Sequence, residues 1–169
     1  NTMEDVANRA GVGRATVYRR FGDKDSLIQA VILRECQRNL VLIEQKVAQI
    51  DNPLDSLLES FVLATTMAHR HPLLERLLQA EPEPILPHLT VSMGPLLAFS
   101  RHYLAQRIDA AEQEGMMAKR GAQSTAEMIL RLLQSLILSP DGGVIDPADE
   151  ASVRRFSESH LRPLLQPQG

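Results

Sequence analysis

A single cysteine, no tryptophan and an aromatic content of only 4% set the first limits on this 169-residue chain. Cys36 alone cannot close an intramolecular disulfide, and no cysteine-based metal site can be built around it. With so few rings, the core must be made of Leu, Ile, Val and Ala, within an apolar content of 44%. That mixture, punctuated by ten prolines, favours helices over a sandwich or barrel. No apolar run reaches the roughly 18 residues that a membrane span needs, and no secretory leader is visible. The expectation is an all-α, soluble, cytoplasmic protein long enough to bury a substantial core. Catalytic patterns are missing too. There is no glycine-rich phosphate loop and no Ser/His/Asp or Cys/His arrangement, and Cys36 has no histidine near it in sequence. His69, His71 and Glu75 form the one metal-like grouping, but a spacing of two puts the histidines on different faces of a helix. His71, before a proline, reads more simply as a surface or cap residue. Neither an enzyme nor a bound metal or other cofactor is expected.

What is present begins at once, in "TMEDVANRAGVGRATVYRRFGDK", Thr2 to Lys24. Residues 1–24 carry a net charge of +2 and the remainder −5, so a cationic end sits on an acidic body. A charge run by itself is often just a solvated face, but the spacing here is more specific. Thr2 and Asp5 have the geometry of a capping box with Asp in place of Glu, and acids in the first turn suit the helix dipole. Val6, Ala7 and Ala10 form an apolar stripe. Gly11 falls where a short helix turns left-handed, and Val12 is placed to plug the corner. A second helix, Arg14 to about Phe21, carries Val17 and Phe21 on one face. Ala7, Gly11 and Val17 thus have the arrangement of a helix-turn-helix: a small residue at the crossing, glycine in the bend, a branched residue beneath. Arg14, Ala15, Tyr18 and Arg19 then project outward. An α-helix fits the major groove, arginine forks onto guanine, and tyrosine and lysine suit phosphate oxygens.

The stretch "TMEDVANRAGVGRATVYRRFGDKDSLIQAV" resembles the DNA-binding signature of TetR-type transcriptional regulators, over about 30 residues. Gly11, Val12, Thr16, Val17, Tyr18 and Phe21 match the family's turn and recognition helix. The resemblance implies phosphate contacts from Tyr18 and Lys24, and a DNA-facing set completed by Thr2, Thr16 and Arg20. Where the family commonly has a serine cap this chain has Gly13, a weaker cap without a hydroxyl for phosphate. The resemblance also implies a three-helix headpiece whose first helix would precede Thr2. Alternatively, Ile28 and Val31 of the following helix close the headpiece core.

Asp23 caps that following helix, which can run from Lys24 to about Gln49 without Gly or Pro. Its unbroken length makes it a candidate lever between headpiece and body, or simply a well-packed helix; the resemblance favours the lever. Asn52 and Pro53 start the next helix, with Leu57, Leu58, Phe61, Val62, Thr65 and Ala68 on a wide apolar face. "PLLERLLQ" reads as a short helix and "EPEPILP" as a rigid extended break. A helix of about 25 residues spans Leu89 to Gly115, another covers "AQSTAEMILRLLQSLIL", and a last one runs from about Pro147 to Leu165. Two regions are expected: 1–46, the headpiece and start of the connecting helix, and 47–169, an effector-binding and dimerisation body.

In TetR-like proteins the central helices enclose a small-molecule pocket and the last two long helices pair with a second subunit. The pocket lining expected here is Phe61, Thr65, Met93, Leu96, Phe99 and Tyr103, with Met128 and Leu132 opposite. Tyr103 would be the single polar anchor among adaptable methionines. Ile129, Leu133, Leu136, Val153, Phe156 and Leu161 are the expected homodimer interface. The function implied is a ligand-responsive regulator of a palindromic double-stranded DNA operator, in the family's usual mode a repressor released by a small apolar effector. An architectural or occlusion protein without an effector is the alternative, and an apolar pocket in the body separates the two.

Overall fold

The computed structural model describes residues 2–80 and 82–167, and every regular element among them is helical. Helix α1, Met3–Ala10, begins as the sequence demands. The Asp5 amide donates to Thr2 Oγ1 at 3.2 Å and the Thr2 amide donates to Asp5 Oδ2 at 2.7 Å, closing the capping box. These Thr2 donors hold the Asp5 carboxyl below its ordinary range. At the other end Gly11, with φ 66°, lets the Val12 amide reach back to the Ala7 carbonyl at 3.1 Å. The chain reverses there and enters α2, Arg14–Phe21, whose N-cap Gly13 makes no side-chain bond. Met3, Ala7 and Val17 form a small buried cluster, with Phe21 and Leu27 packed against it. Val12 does not plug the corner; it is 43% exposed. The bend turns it outward, and Met3, one turn before Ala7 on the same face, fills the space instead.

Helix α3, Lys24–Val47, starts where the Ser26 amide donates to Asp23 Oδ1 at 2.7 Å. Its 24 residues span about 36 Å at 1.5 Å per residue. Ile43 and Val47 at its far end pack on Leu63 of α4, Pro53–His69. Asn52 Oδ1 caps α4 by accepting the amides of Leu54 at 2.9 Å and Asp55 at 3.1 Å. Asn52→Ala is therefore expected to lower stability by about 1 kcal/mol, read as a shifted denaturant midpoint with an unchanged slope. Helix α4 is the axis of the body. Leu54, Leu57, Leu58, Phe61 and Val62 meet residues of α7 (Gly94–Gln113), α8 (Ala122–Leu138), α9 (Glu150–Phe156) and the chain beyond it in one buried core.

Three expected boundaries are corrected. "EPEPILP" is not extended: α5, Pro72–Ala80, is followed by α6, Pro82–Leu89. Pro82 and Pro84 fall in the first turn of α6, where backbone N–H groups have no intrahelical acceptor, so only Pro87 removes a bond. Helix α7 begins at Gly94 rather than Leu89, because α6 occupies the chain up to Leu89 and Pro95, which has no N–H to donate, fits the first turn of a new helix. The last helix begins at Glu150, not Pro147, with Asp149 accepting the amides of Ala151 and Ser152. It widens into a π turn at Ser157–Leu161 before α10, Arg162–Leu165. Pro163 cannot donate to the carbonyl four residues back, and the wider turn accommodates it.

Candidate DNA interface and effector cavity

On α2, Arg14, Ala15, Thr16, Tyr18, Arg19 and Arg20 are all exposed, as is Lys24 at the start of α3. The Arg14 guanidinium lies 5.3 Å from the Tyr18 ring centroid and 3.6 Å from Glu4 Oε2, so α1 and α2 share an ion pair on the open face. Arg20 lies over Phe21 at 5.6 Å. Thr2 differs from the others: its hydroxyl is engaged with Asp5 in the cap. The result is a short helix whose exposed surface carries three arginines and a phenol around the buried Val17, with Lys24 at the start of the next helix.

Behind the headpiece the body holds a cavity of about 530 Å³. Helix α3 forms one wall with Leu27, Ile28, Val31, Ile32, Leu40 and Ile43; helices α4 to α8 supply the others. Phe61, Met93, Leu96 and Tyr103 line it as expected from the sequence. Four other expected residues do not. Thr65 is fully buried, and its hydroxyl donates to the Phe61 carbonyl at 2.8 Å. Phe99 turns off the face of α7 that carries Leu96, Ser100, Tyr103 and Leu104 into the wall. Met128 and Leu132 pack against the main core, while Ile129, Leu130, Leu133 and Ile137 of the same helix face the cavity. Sequence reasoning missed the contributions of α5 and α6, including Leu73, Leu77, Ile85 and Leu89, whose signal was a short apolar helix beside a proline-rich segment.

Nor is Tyr103 the single polar anchor. The Cys36 Sγ and Ser100 Oγ atoms approach to 3.6 Å in the wall, and burial pushes the Cys36 thiol above its ordinary value, keeping it protonated. His71 Nε2 stands 3.4 Å from Glu35 Oε2, and His71 also accepts the Leu74 amide at the start of α5. The Tyr103 hydroxyl donates to Glu44, and its pKa is pushed up to about 12 by burial and by that acceptor. Arg107 donates to Ser56 Oγ at 3.0 Å and to the Tyr103 oxygen at 3.5 Å. Among the described residues no group of three His, Cys, Asp or Glu is placed to hold a metal ion, and no helix is long and apolar enough to cross a membrane.

Two connections link cavity and headpiece. Helix α3 lines the cavity and begins at Lys24. Helix α6 lines it through Ile85 and Leu89 and carries His88, which is only 5% exposed and donates from Nε2 to Asp25 Oδ1 at 3.0 Å, in the first turn of α3. The expected dimer stripe is less free. Ile129, Val153 and Leu161 are buried in the chain's own core, and Leu133 is part of the cavity wall. Leu136 and Phe156 are half-buried against that core, with the Phe156 ring 6.2 Å from that of Phe61. These two remain at the surface of α8 and α9 because the other four positions are satisfied within the chain.

An exposed cationic recognition helix on an all-helical body defines a DNA-binding transcriptional regulator. Residues 1–31 match the family described as bacterial regulatory proteins, tetR family. Among curated relatives, the uncharacterized HTH-type transcriptional regulator Rv1255c of Mycobacterium tuberculosis (strain ATCC 25618 / H37Rv) is 26% identical over 98% of this chain and 75% of its own length. The HTH-type transcriptional regulator AlkX of the same strain is 25% identical over 94% of this chain and 76% of its own length. The crystal structure of AibR in complex with isovaleryl coenzyme A and operator DNA shares the fold, with a TM-score of 0.53 at 15% identity over 94% of this chain and 86% of AibR. Residues 1–31 thus carry the DNA-binding region of the tetR family, and over most of its length the chain is similar to proteins named as transcriptional regulators rather than enzymes.

Proposed function

We propose that the protein is a cytoplasmic, homodimeric repressor that leaves a palindromic operator when a small, largely apolar effector enters the cavity. The observation that carries this is the shared wall: α3 borders about 530 Å³ of mostly aliphatic space and continues without a break to the recognition headpiece. A two-fold dimer sets two α2 helices at a fixed separation, which a palindrome with half-sites a helical turn or a multiple apart requires. An effector that favours a different separation weakens DNA binding by no more than its own preference between the two arrangements. The AibR complex, with a small-molecule ligand and operator DNA on the same fold, supports this use of the architecture. The partner would cover the half-buried Leu136 and Phe156 on α8 and α9.

The test begins with operator selection from random duplex DNA, followed by sedimentation of the chain at micromolar concentration and a thermal-shift screen of metabolites. The expected result is a dimer and a class of compounds that both raises Tm and releases the operator. A clean monomer would remove the two-half-site arrangement. Compounds that bind in the cavity without changing operator affinity would leave a DNA-binding protein with no effector response.

A further inference from the structure

The chemistry of the cavity wall narrows the occupant, on the footing of the effector role proposed above. Most of the wall is Leu, Ile, Val and Met, with Phe61, Tyr103 and the His71 imidazole as the rings among the described lining residues, so a planar polycyclic molecule finds little to stack on. Flexible aliphatic chains meet methyl groups throughout, each buried CH₂ strengthening binding about fourfold. The space is also long. Residues of α3 from Lys24 to Ile43 line it, a rise of roughly 29 Å at 1.5 Å per residue.

One end of this channel carries a charge with no carboxylate in direct contact among the described residues. Arg107 is half-buried, lines the cavity, and is held by two neutral oxygens, Ser56 Oγ at 3.0 Å and the Tyr103 hydroxyl at 3.5 Å. Among the described residues no carboxylate oxygen lies within 4.0 Å of its guanidinium, whereas Arg101, Arg131, Arg154 and Arg162 all have such partners. Glu44, the nearest acid through Tyr103, is exposed and lies outside the wall. Glu35, which does line the wall, faces His71 at 3.4 Å. An arginine that lines an apolar space and is held only by neutral oxygens is matched by a planar anion, which can replace those weaker acceptors with two parallel hydrogen bonds.

We propose that the effector is a long-chain aliphatic carboxylate, its head group on Arg107 and its chain running along α3 toward Ile28 and Leu89. Calorimetry with dodecanoate and 1-dodecanol, below their aggregation limits, tests this on the dimer with and without operator. The carboxylate is expected to bind at least tenfold tighter than the alcohol, and Arg107→Gln to bring the two within about twofold, with Arg107→Lys restoring part of the preference. Tm and circular dichroism establish that each variant is folded. The acid-to-alcohol ratio in the unmodified protein stands by itself should Arg107→Gln not fold. Equal binding of acid and alcohol would overturn the head-group assignment while leaving an apolar effector in place. Operator release by unrelated compounds, with neither dodecyl ligand binding, would overturn the ligand class alone. The repressor scheme itself would fall only if no compound that enters the cavity releases operator.

Discussion

Arg14→Ala and Arg19→Ala are each expected to relax base preference at particular operator positions by about 1–3 kcal/mol, the worth of a bidentate fork on guanine. Both residues are exposed on α2. Arg14 must first leave Glu4, 3.6 Å away, but that pair is solvent-exposed on both sides. Exposed pairs contribute between zero and about 1 kcal/mol, less than a base contact returns. Its stacking on Tyr18 meanwhile orients the guanidinium along the helix rather than leaving it free to wander. Lys24 works differently. It sits at the start of α3, outside the recognition helix, so Lys24→Ala should weaken all sequences about equally and reduce the salt slope by about one unit. Binding measured against a library of single-base operator variants, at several salt concentrations, separates the two behaviours. Uniform loss of affinity in the arginine variants, with base preferences intact, would show that α2 is not the reading helix.

The parts of the architecture legible in the sequence were those decided by neighbours three or four residues apart. Thr2 with Asp5, Asp23 with Ser26, and Asn52 with Leu54 and Asp55 each fix a helix start through a side chain and an amide close in sequence, and all three caps form. Gly11 marks a bend that only a left-handed residue makes cheaply. Proline misled where its position within the helix mattered more than its presence: in α6 two prolines occupy the first turn, where they break nothing. The exposed positions of α2 were legible because only Val17 and Phe21 of that short helix are apolar and large enough to turn to the core. The cavity was less so. Helices α7 and α8 are apolar on more than one side, and periodicity alone does not say which side meets the core and which the cavity. Phe99 and Leu96 differ by three residues, yet only Leu96 lines the space. Ile129 and Val153 were assigned to a partner for the same reason, although the chain's own core claims them. Arg107 was invisible in the sequence because its significance lies in what does not approach it, and that is decided by the packing of α4 and α7.

Ser100→Phe is expected to act as a permanent effector. Ser100 lines the cavity on α7, and its hydroxyl meets Cys36 Sγ of α3 at 3.6 Å. A phenyl ring at this position either fills cavity space or presses on the middle of α3, and both favour the arrangement that an effector selects. Couplings between two sites in regulatory proteins run to about 1–3 kcal/mol, so operator affinity should fall by roughly 5- to 150-fold. The loss arises without any change to α2, so base preferences at the operator should be those of the unmodified protein, only weaker. The effector response should shrink in parallel, because the ring occupies space the ligand needs and has already shifted the equilibrium. Reciprocity supplies a further check: operator DNA must weaken effector binding to the unmodified dimer by the same factor that effector weakens operator binding. Val91→Phe is the control for added bulk, since Val91 is 91% exposed in the turn between α6 and α7 and touches neither wall nor headpiece. Operator titrations of both variants, run beside sedimentation to confirm that the dimer persists, give the answer. A well-folded Ser100→Phe dimer that binds operator as tightly as the Val91→Phe control would disconnect this cavity from the DNA-binding switch.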